Sequence, residues 1–447
     1  MDSADFDLLV VGGGMAGMSA AAEAACQGAR VVVCEVADRL GGTALLSTGN
    51  VWTVQTPEAF RQADPDGDET LWQVVRNDLE ESLEWVSSLG VAVHERHRAS
   101  SSSTYDPPPI GRNVDIEAYM ARSRRAVESA DGWVLNGTTV VDLHTSAGAV
   151  VGGSIQTAST RDGLDIQARG VVLASGGFQA SPDLRAHYLG QAVAGSVAVR
   201  SNPDSQGIAL TLGLRAGAST SPKMDTFYGV ILPAVAGNIS EGDYRGLVIH
   251  AAVFGVVVGA DGRRLTDESA GAVALANAVA RTGRALFIAG PEMVREAYER
   301  LGMDLTELVR TAGARGTRCV TADSVRSLAC TVTEWGYDGA ATRATIEQFD
   351  RAMRGDGSTS LPRVRHRLPV GDGPVSVLEV QAAITSTFGG LRTDTHGRVL
   401  KSDGSTLPGL FAAGVDQGGY NVSGYVGGLS RALVYGRRAA RKALSDV

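Results

Sequence analysis

Cysteine is scarce and scattered in this chain: four residues in 447, with no C-x-x-C, no C-x-x-C-H and no cluster. Cys26 and Cys34 fall inside the first expected helix and the second expected strand, and Cys319 and Cys330 stand alone much later. This pattern excludes an iron–sulfur centre, an attached haem and a thioredoxin-like pair carried by the chain itself. Isolated thiols suit a reducing compartment, so the protein is expected to be cytoplasmic. Positive charge is also short. The formal net charge is −8 and the pI about 5.5, which argues against nucleic acid or an anionic membrane as partners. No apolar run reaches the roughly 20 residues of a bilayer span, and residues 246–260, the longest after the opening strand, are interrupted by His250. The polar start MDSADFD lacks the basic flank and cleavage site of a signal peptide. No H-x-x-x-H, H-x-E or carboxylate cluster suggests a metal, and no G-x-S-x-G suggests a serine hydrolase.

What the chain does have is a large apolar share, 44% against 20% charged, enough for a sizeable core and two domains. Glycine is so frequent, at 56 residues, that G-x-G-x-x-G spacing alone carries little information. Context makes one instance informative. A strand-like run at 7–11 (DLLVV) meets Gly12, Gly14 and Gly17, then an alanine-rich helical stretch to Gly28, then a second apolar run at 31–34 ending at Glu35. Gly12 permits the tight turn, Gly14 the approach of backbone to a pyrophosphate, and Gly17 close packing of helix on sheet, with Ala16 inside the same turn. Glu35 stands where a carboxylate accepts from ribose hydroxyls. A second glycine pair with a hydroxyl, Gly41-Gly42-Thr43, suits a cofactor extended past the first helix, as FAD is and NAD usually is not.

Further along come a loop (44–56), an acidic loop (63–69), an amphipathic helix (70–89) and a serine- and proline-rich segment (98–112) that reads as an exposed loop or lid. A helix at 114–129 precedes strands at 138–144, 150–158, 165–167 and 171–174. The run VVLASGGF at 171–178 ends in Gly176 and Gly177, which either admit a ligand close to the backbone or simply turn the chain. Residues 224–372 change character, and 373–447 return to the glycine-punctuated strands of the opening, with TFGGL, a hairpin, a strand at 409–416 containing Gly414, and Gly427-Gly428 at the start of a last helix. A first half that needs a C-terminal strand implies a discontinuous α/β domain. The expected fold is a Rossmann-like FAD-binding domain from 1–223 and 373–447, with an α+β capping domain inserted at 224–372.

Taken in order, GGGMAGMSAAAEA with Glu35, GGTALLSTGNVW, VVLASGGF, TFGGL and GLFAAGVDQGGYNVSGYVGGLSRALVYGRRAA resemble the FAD-dependent fumarate reductase and succinate dehydrogenase flavoprotein superfamily. That superfamily includes 3-ketosteroid dehydrogenases and tricarballylate dehydrogenase-like proteins. The resemblance implies pyrophosphate at Gly12, Gly14 and Gly17, adenosine ribose at Glu35, and phosphate and isoalloxazine at Gly42, Thr43 and Ser47, although those hydroxyls serve equally as turn caps. It gives Asp416 the ribityl chain. It also sets Gly427, Gly428 and Leu429 at a helix start that stabilises charge at the flavin N1 and C2 carbonyl. Covalent relatives carry a histidine after the glycine pair; ALLSTGN here implies non-covalent FAD.

The departures concern substrate. In the run GADGRRLTDESAGA, Glu268 matches the family's cap glutamate, but four residues on, where a protonatable side chain is expected, stands Ala272. Thr385 and Ser386 replace the carboxylate-binding histidines, and Tyr425 replaces an arginine. Those positions offer no cations, so a neutral substrate rather than a dicarboxylate is expected. Tyr425 is the first catalytic candidate, as a carbonyl-polarising phenol or an aromatic wall. Tyr105, Tyr228 and His250 are further candidates whose alternative is packing. The expected enzyme makes or removes a carbon–carbon double bond next to a carbonyl, passing electrons to oxygen, a quinone or a redox partner. An amine or alcohol oxidase and a flavin-binding protein without catalysis are the alternatives.

Overall fold

A computed structural model describes residues 3–95, 107–157, 160–235 and 242–446. Its first layer is the expected parallel sheet. The opening strand Ser3–Val11 is flanked by Val31–Cys34 on one side and Thr160–Leu173 on the other, all parallel. Leu8, Leu9 and Val10 are fully buried, because both faces of the sheet are covered and alternation is lost. Trp133–Leu135 extends the sheet beyond the second strand, and Thr406–Ala412 completes it from the far end of the chain by pairing parallel with Thr160–Leu173. The domain is therefore discontinuous. The strands expected separately at 165–167 and 171–174 are one strand, whose polar first half pairs antiparallel with Ala149–Thr157.

The first helix, Met15–Cys26, is alanine-rich because it lies between this sheet and the last helix, Gly428–Ser445. The two helices approach so closely that a Cβ on Gly436 would sit 2.3 Å from the carbonyl oxygen of Ala16. Small residues set that spacing, since a packed interior tolerates no added methyl without displacement.

The second layer is a six-stranded sheet centred on Val375–Thr387. Phe227–Pro233, Ala285–Ala289 and Cys319–Ala322 pair antiparallel with that strand, and Ala198–Val199 pairs parallel. The central strand lies beyond residue 372, and a contributing strand lies before residue 224. The central strand ends at Thr387, and the chain bends at Phe388 into Gly389-Gly390. Among the described residues no helix is long and apolar enough to cross a membrane.

Candidate active site

A cavity of about 580 Å³ opens at the carboxyl ends of the parallel strands, where Val11, Cys34, Ala174 and Ala413 meet it. Open α/β sheets bind ligands at this edge. Gly12 turns the chain there with φ +103°, and a Cβ on it would lie 2.5 Å from the carbonyl oxygen of Ala174. The first helix begins on Gly14 with no side-chain cap, so its first-turn N–H groups meet the cavity at Met15 and Ala16. A Cβ on Gly14 would find nothing nearer than 3.9 Å, so this backbone stands open to a ligand. Gly17 lies behind the lining: its Cβ would fall 1.9 Å from the Gly12 oxygen, and it serves the packing of helix against turn.

Glu35 lines the cavity at the end of the second strand. Its carboxylate accepts from the backbone N–H of Gly13 (2.6 Å) and of Ala37 (2.9 Å), tying the glycine turn to the strand. Burial raises its pKa and these amides pull against the shift. Gly41, Gly42, Thr43 and Ser47 form the next stretch of wall. Thr43 Oγ1 accepts from the Asn202 N–H (3.1 Å), while the Ser47 hydroxyl donates to Ala44 O (2.6 Å) and accepts from Gly49 N (3.1 Å). Both hydroxyls are thus partly spent on local structure.

Gly176, Gly414, Gly428 and Leu429 also line the cavity; Gly177, Asp416 and Gly427 do not. Asp416 lies behind the lining rather than in it. Its buried carboxylate accepts from the N–H groups of Gly176 (2.7 Å) and Gly177 (3.2 Å), so it holds the shape of the turn that faces the ligand. Gly427, with φ +105°, is wedged against Trp52, whose carbonyl oxygen a Cβ would approach to 1.8 Å.

At the opposite end stand Tyr425, Tyr228 and His250, with Thr385 and Ser386 beside them. The Tyr228 and Tyr425 rings stack 3.9 Å apart at 10°. The Tyr425 hydroxyl accepts from the Gly428 N–H at 2.8 Å, so the phenol caps the last helix and takes a donor expected to face the flavin. Burial raises the pKa of both phenols. His250 is pushed down to about 4 by burial and by Arg200, and is neutral at physiological pH. A second cavity of about 80 Å³ shares Trp52, Tyr228, Val248, His250 and Tyr425 with the first, and adds Ala272, Ser269, Arg365 and His366. Tyr105 lies outside the described residues. Glu268, fully buried between Arg264 (2.5 Å) and Arg363 (2.9 Å), is a structural clamp.

Three residues here escaped sequence reasoning. Arg200 brings a cation to this wall from another segment, donating from Nε to Tyr244 O and from Nη1 to Thr385 Oγ1, both at 2.8 Å, with its guanidinium 3.6 Å over the Tyr244 ring. Arg431, 2% exposed, reaches the cavity from inside the last helix. Asp64, fully buried, accepts from Asn421 Nδ2 and from the N–H groups of Val422, Ser423 and Gly424, which fixes the loop that carries Tyr425. The only sequence signal for Asp64 is an acid within an acidic loop. For the two arginines there is no motif.

An uncapped helix start, an open glycine backbone and a buried guanidinium form a donor set matched to a diphosphate-bearing flavin. Together with the discontinuous sheet and the cavity under a second sheet, they define an FAD-dependent oxidoreductase. The chain matches the FAD binding domain family over residues 7–86 and 86–430, and it belongs to that family. It is similar to the fumarate reductase (cytochrome) of Shewanella frigidimarina, 24% identical across 98% of this chain and 76% of that protein. The urocanate reductase of Eggerthella lenta is 25% identical across 98% of this chain and 74% of its own length. The solved 3-ketosteroid delta1-dehydrogenase of Sterolibacterium denitrificans shares the fold, with a TM-score of 0.76 over 99% of this chain and 100% of that one at 18% identity. These likenesses place the chain in the fumarate reductase-like flavoprotein superfamily.

Proposed function

We propose that the enzyme makes or reduces a carbon–carbon double bond next to the carbonyl of a small, neutral molecule that is not a dicarboxylate, with FAD held non-covalently. The single observation that carries this reading is the junction of the two cavities, where Tyr228, Tyr425 and His250 line both. Bound FAD supplies or accepts the hydride. The chain supplies the rest. In this reading Gly12, Gly14 and Ala16 hold the diphosphate and Glu35 the adenosine ribose. The residues around the second sheet act as a cap over the substrate.

His250, neutral and making no hydrogen bond from its ring to any described residue, takes or returns the proton in the absence of a titratable group at Ala272. Tyr228 orients the substrate through its phenol. The Tyr425 ring closes one wall while its hydroxyl stays on the helix. Arg200 supports a second reading, a substrate bearing one carboxylate. Two of its nitrogens are engaged with Tyr244 and Thr385, and Nη2 has no hydrogen-bond partner among the described residues.

Steady-state assays with three matched sets separate these readings: cyclic enones and ketones, α,β-unsaturated monocarboxylates, and amines or alcohols. Turnover of the first set without stoichiometric hydrogen peroxide supports the proposal. Turnover confined to monocarboxylates and abolished by Arg200→Gln selects the second reading. Peroxide release confined to amines or alcohols refutes both.

A further inference from the structure

Arg431 is the fourth residue of the last helix, Gly428–Ser445, and its side chain is buried against the main cavity. It lacks the partners a buried guanidinium needs. Among the described residues Nε has no hydrogen-bond partner, and the guanidinium makes a single long contact of 3.5 Å from Nη1 to Gln417 O. The guanidinium carbon lies 5.2 Å from the Tyr420 ring centroid, a weak cation–π contact. The carboxylate in electrostatic reach, Asp416, already accepts from the Gly176 and Gly177 amides. Position makes the deficit worse: a cation in the first turn meets the positive end of the helix dipole, where an anion is favoured. Two positive elements, the helix start and the Arg431 guanidinium, thus line the same cavity. A buried charge in that state is costly unless something outside the chain completes it.

One donor of the helix start, the Gly428 N–H, is committed to the Tyr425 hydroxyl. We propose that Arg431 donates to the acceptor edge of the flavin pyrimidine ring, N1 and the C2 carbonyl, and holds there the negative charge carried by the reduced cofactor. Arginine suits the task because its planar fork offers parallel donors to a nitrogen and a carbonyl oxygen on one edge.

The inference rests on FAD occupying this cavity, and its test reads the cofactor rather than turnover. Reduction potentials of FAD-loaded wild type, Arg431→Gln, Arg431→Met and Arg431→Lys are measured by anaerobic dye equilibration, alongside the dissociation constant for sulfite, which adds at N5 and places charge on the same edge. The uncharged variants are expected to bind sulfite at least tenfold more weakly, with potentials more negative by about 30 mV or more, the two-electron equivalent of that factor. Arg431→Lys is expected to lie between them and wild type. A potential and sulfite affinity within twofold of wild type in either uncharged variant that retains FAD overturns the role of Arg431. If both uncharged variants lose FAD, a wild-type-like sulfite affinity and potential in Arg431→Lys leave the charge assignment standing, and values shifted tenfold despite the retained charge overturn it. Wild-type protein unable to hold FAD would overturn the cofactor assignment itself.

Discussion

His250 gives a prediction whose sign and size follow from the structure. Its folded pKa is lowered from 6.5 to about 4, first by burial and then by the charge of Arg200. The unfolded chain therefore takes up a proton near pH 6.5 that the folded chain refuses until about pH 4. Stability from this source is complete above pH 6.5, is lost as pH falls through that window, and levels off below it. Between pH 7.5 and pH 5 the loss is about 2 kcal/mol, and the full shift corresponds to about 3.4 kcal/mol. His366 has a folded pKa of about 4 and adds its own, solvent-weakened acid loss, but it is present in both proteins of the comparison. Urea unfolding of FAD-loaded wild type and His250→Gln at pH 7.5, 6 and 5 isolates the effect. Wild type should lose about 2 kcal/mol more than the variant. Parallel stability profiles, or an imidazole NMR titration with a midpoint near 6.5, would refute the burial-driven shift at His250.

Gly17→Ala puts a Cβ 1.9 Å from the Gly12 oxygen, so the turn must open, and the purified variant should lose most of its visible flavin absorbance. Asp64→Ala strips the acceptor from the 421–424 loop and should lower stability by about 3 kcal/mol or more, read by urea unfolding. Tyr425→Phe leaves the Gly428 N–H without its acceptor and should cost about 1–3 kcal/mol in thermal unfolding, with the stacked ring on Tyr228 retained.

The dinucleotide end of the site was legible because its mechanics are local. Gly12, Gly14, Gly17 and Glu35 lie within 24 residues, and each residue type answers a constraint set by its neighbours in sequence. The end of the cavity lined by Tyr228, His250 and Tyr425 was not legible. Asp64 acts on residues 357 or more positions away, and Arg200 reaches Thr385 across 185. No periodicity or spacing encodes such pairings. The absence of cations at Thr385, Ser386 and Tyr425 was read correctly from the residues, yet cations from other segments occupy the same wall. Asp416 shows the converse: an acid at the end of a strand looks like a ligand contact, and only the folded backbone reveals two amides claiming it. The role of Val375–Thr387 was hidden for a related reason, since this strand is buried on both faces and its partners in the second sheet come from segments far away in sequence.

The most direct test of the central claim is anaerobic mixing of FAD-loaded enzyme with enones and their saturated ketones while the flavin spectrum is followed. The account predicts that a saturated ketone bleaches the oxidised flavin, or that an enone restores colour to the reduced enzyme, and that His250→Gln slows either process. An unchanged flavin spectrum across the whole panel in both oxidation states would contradict it.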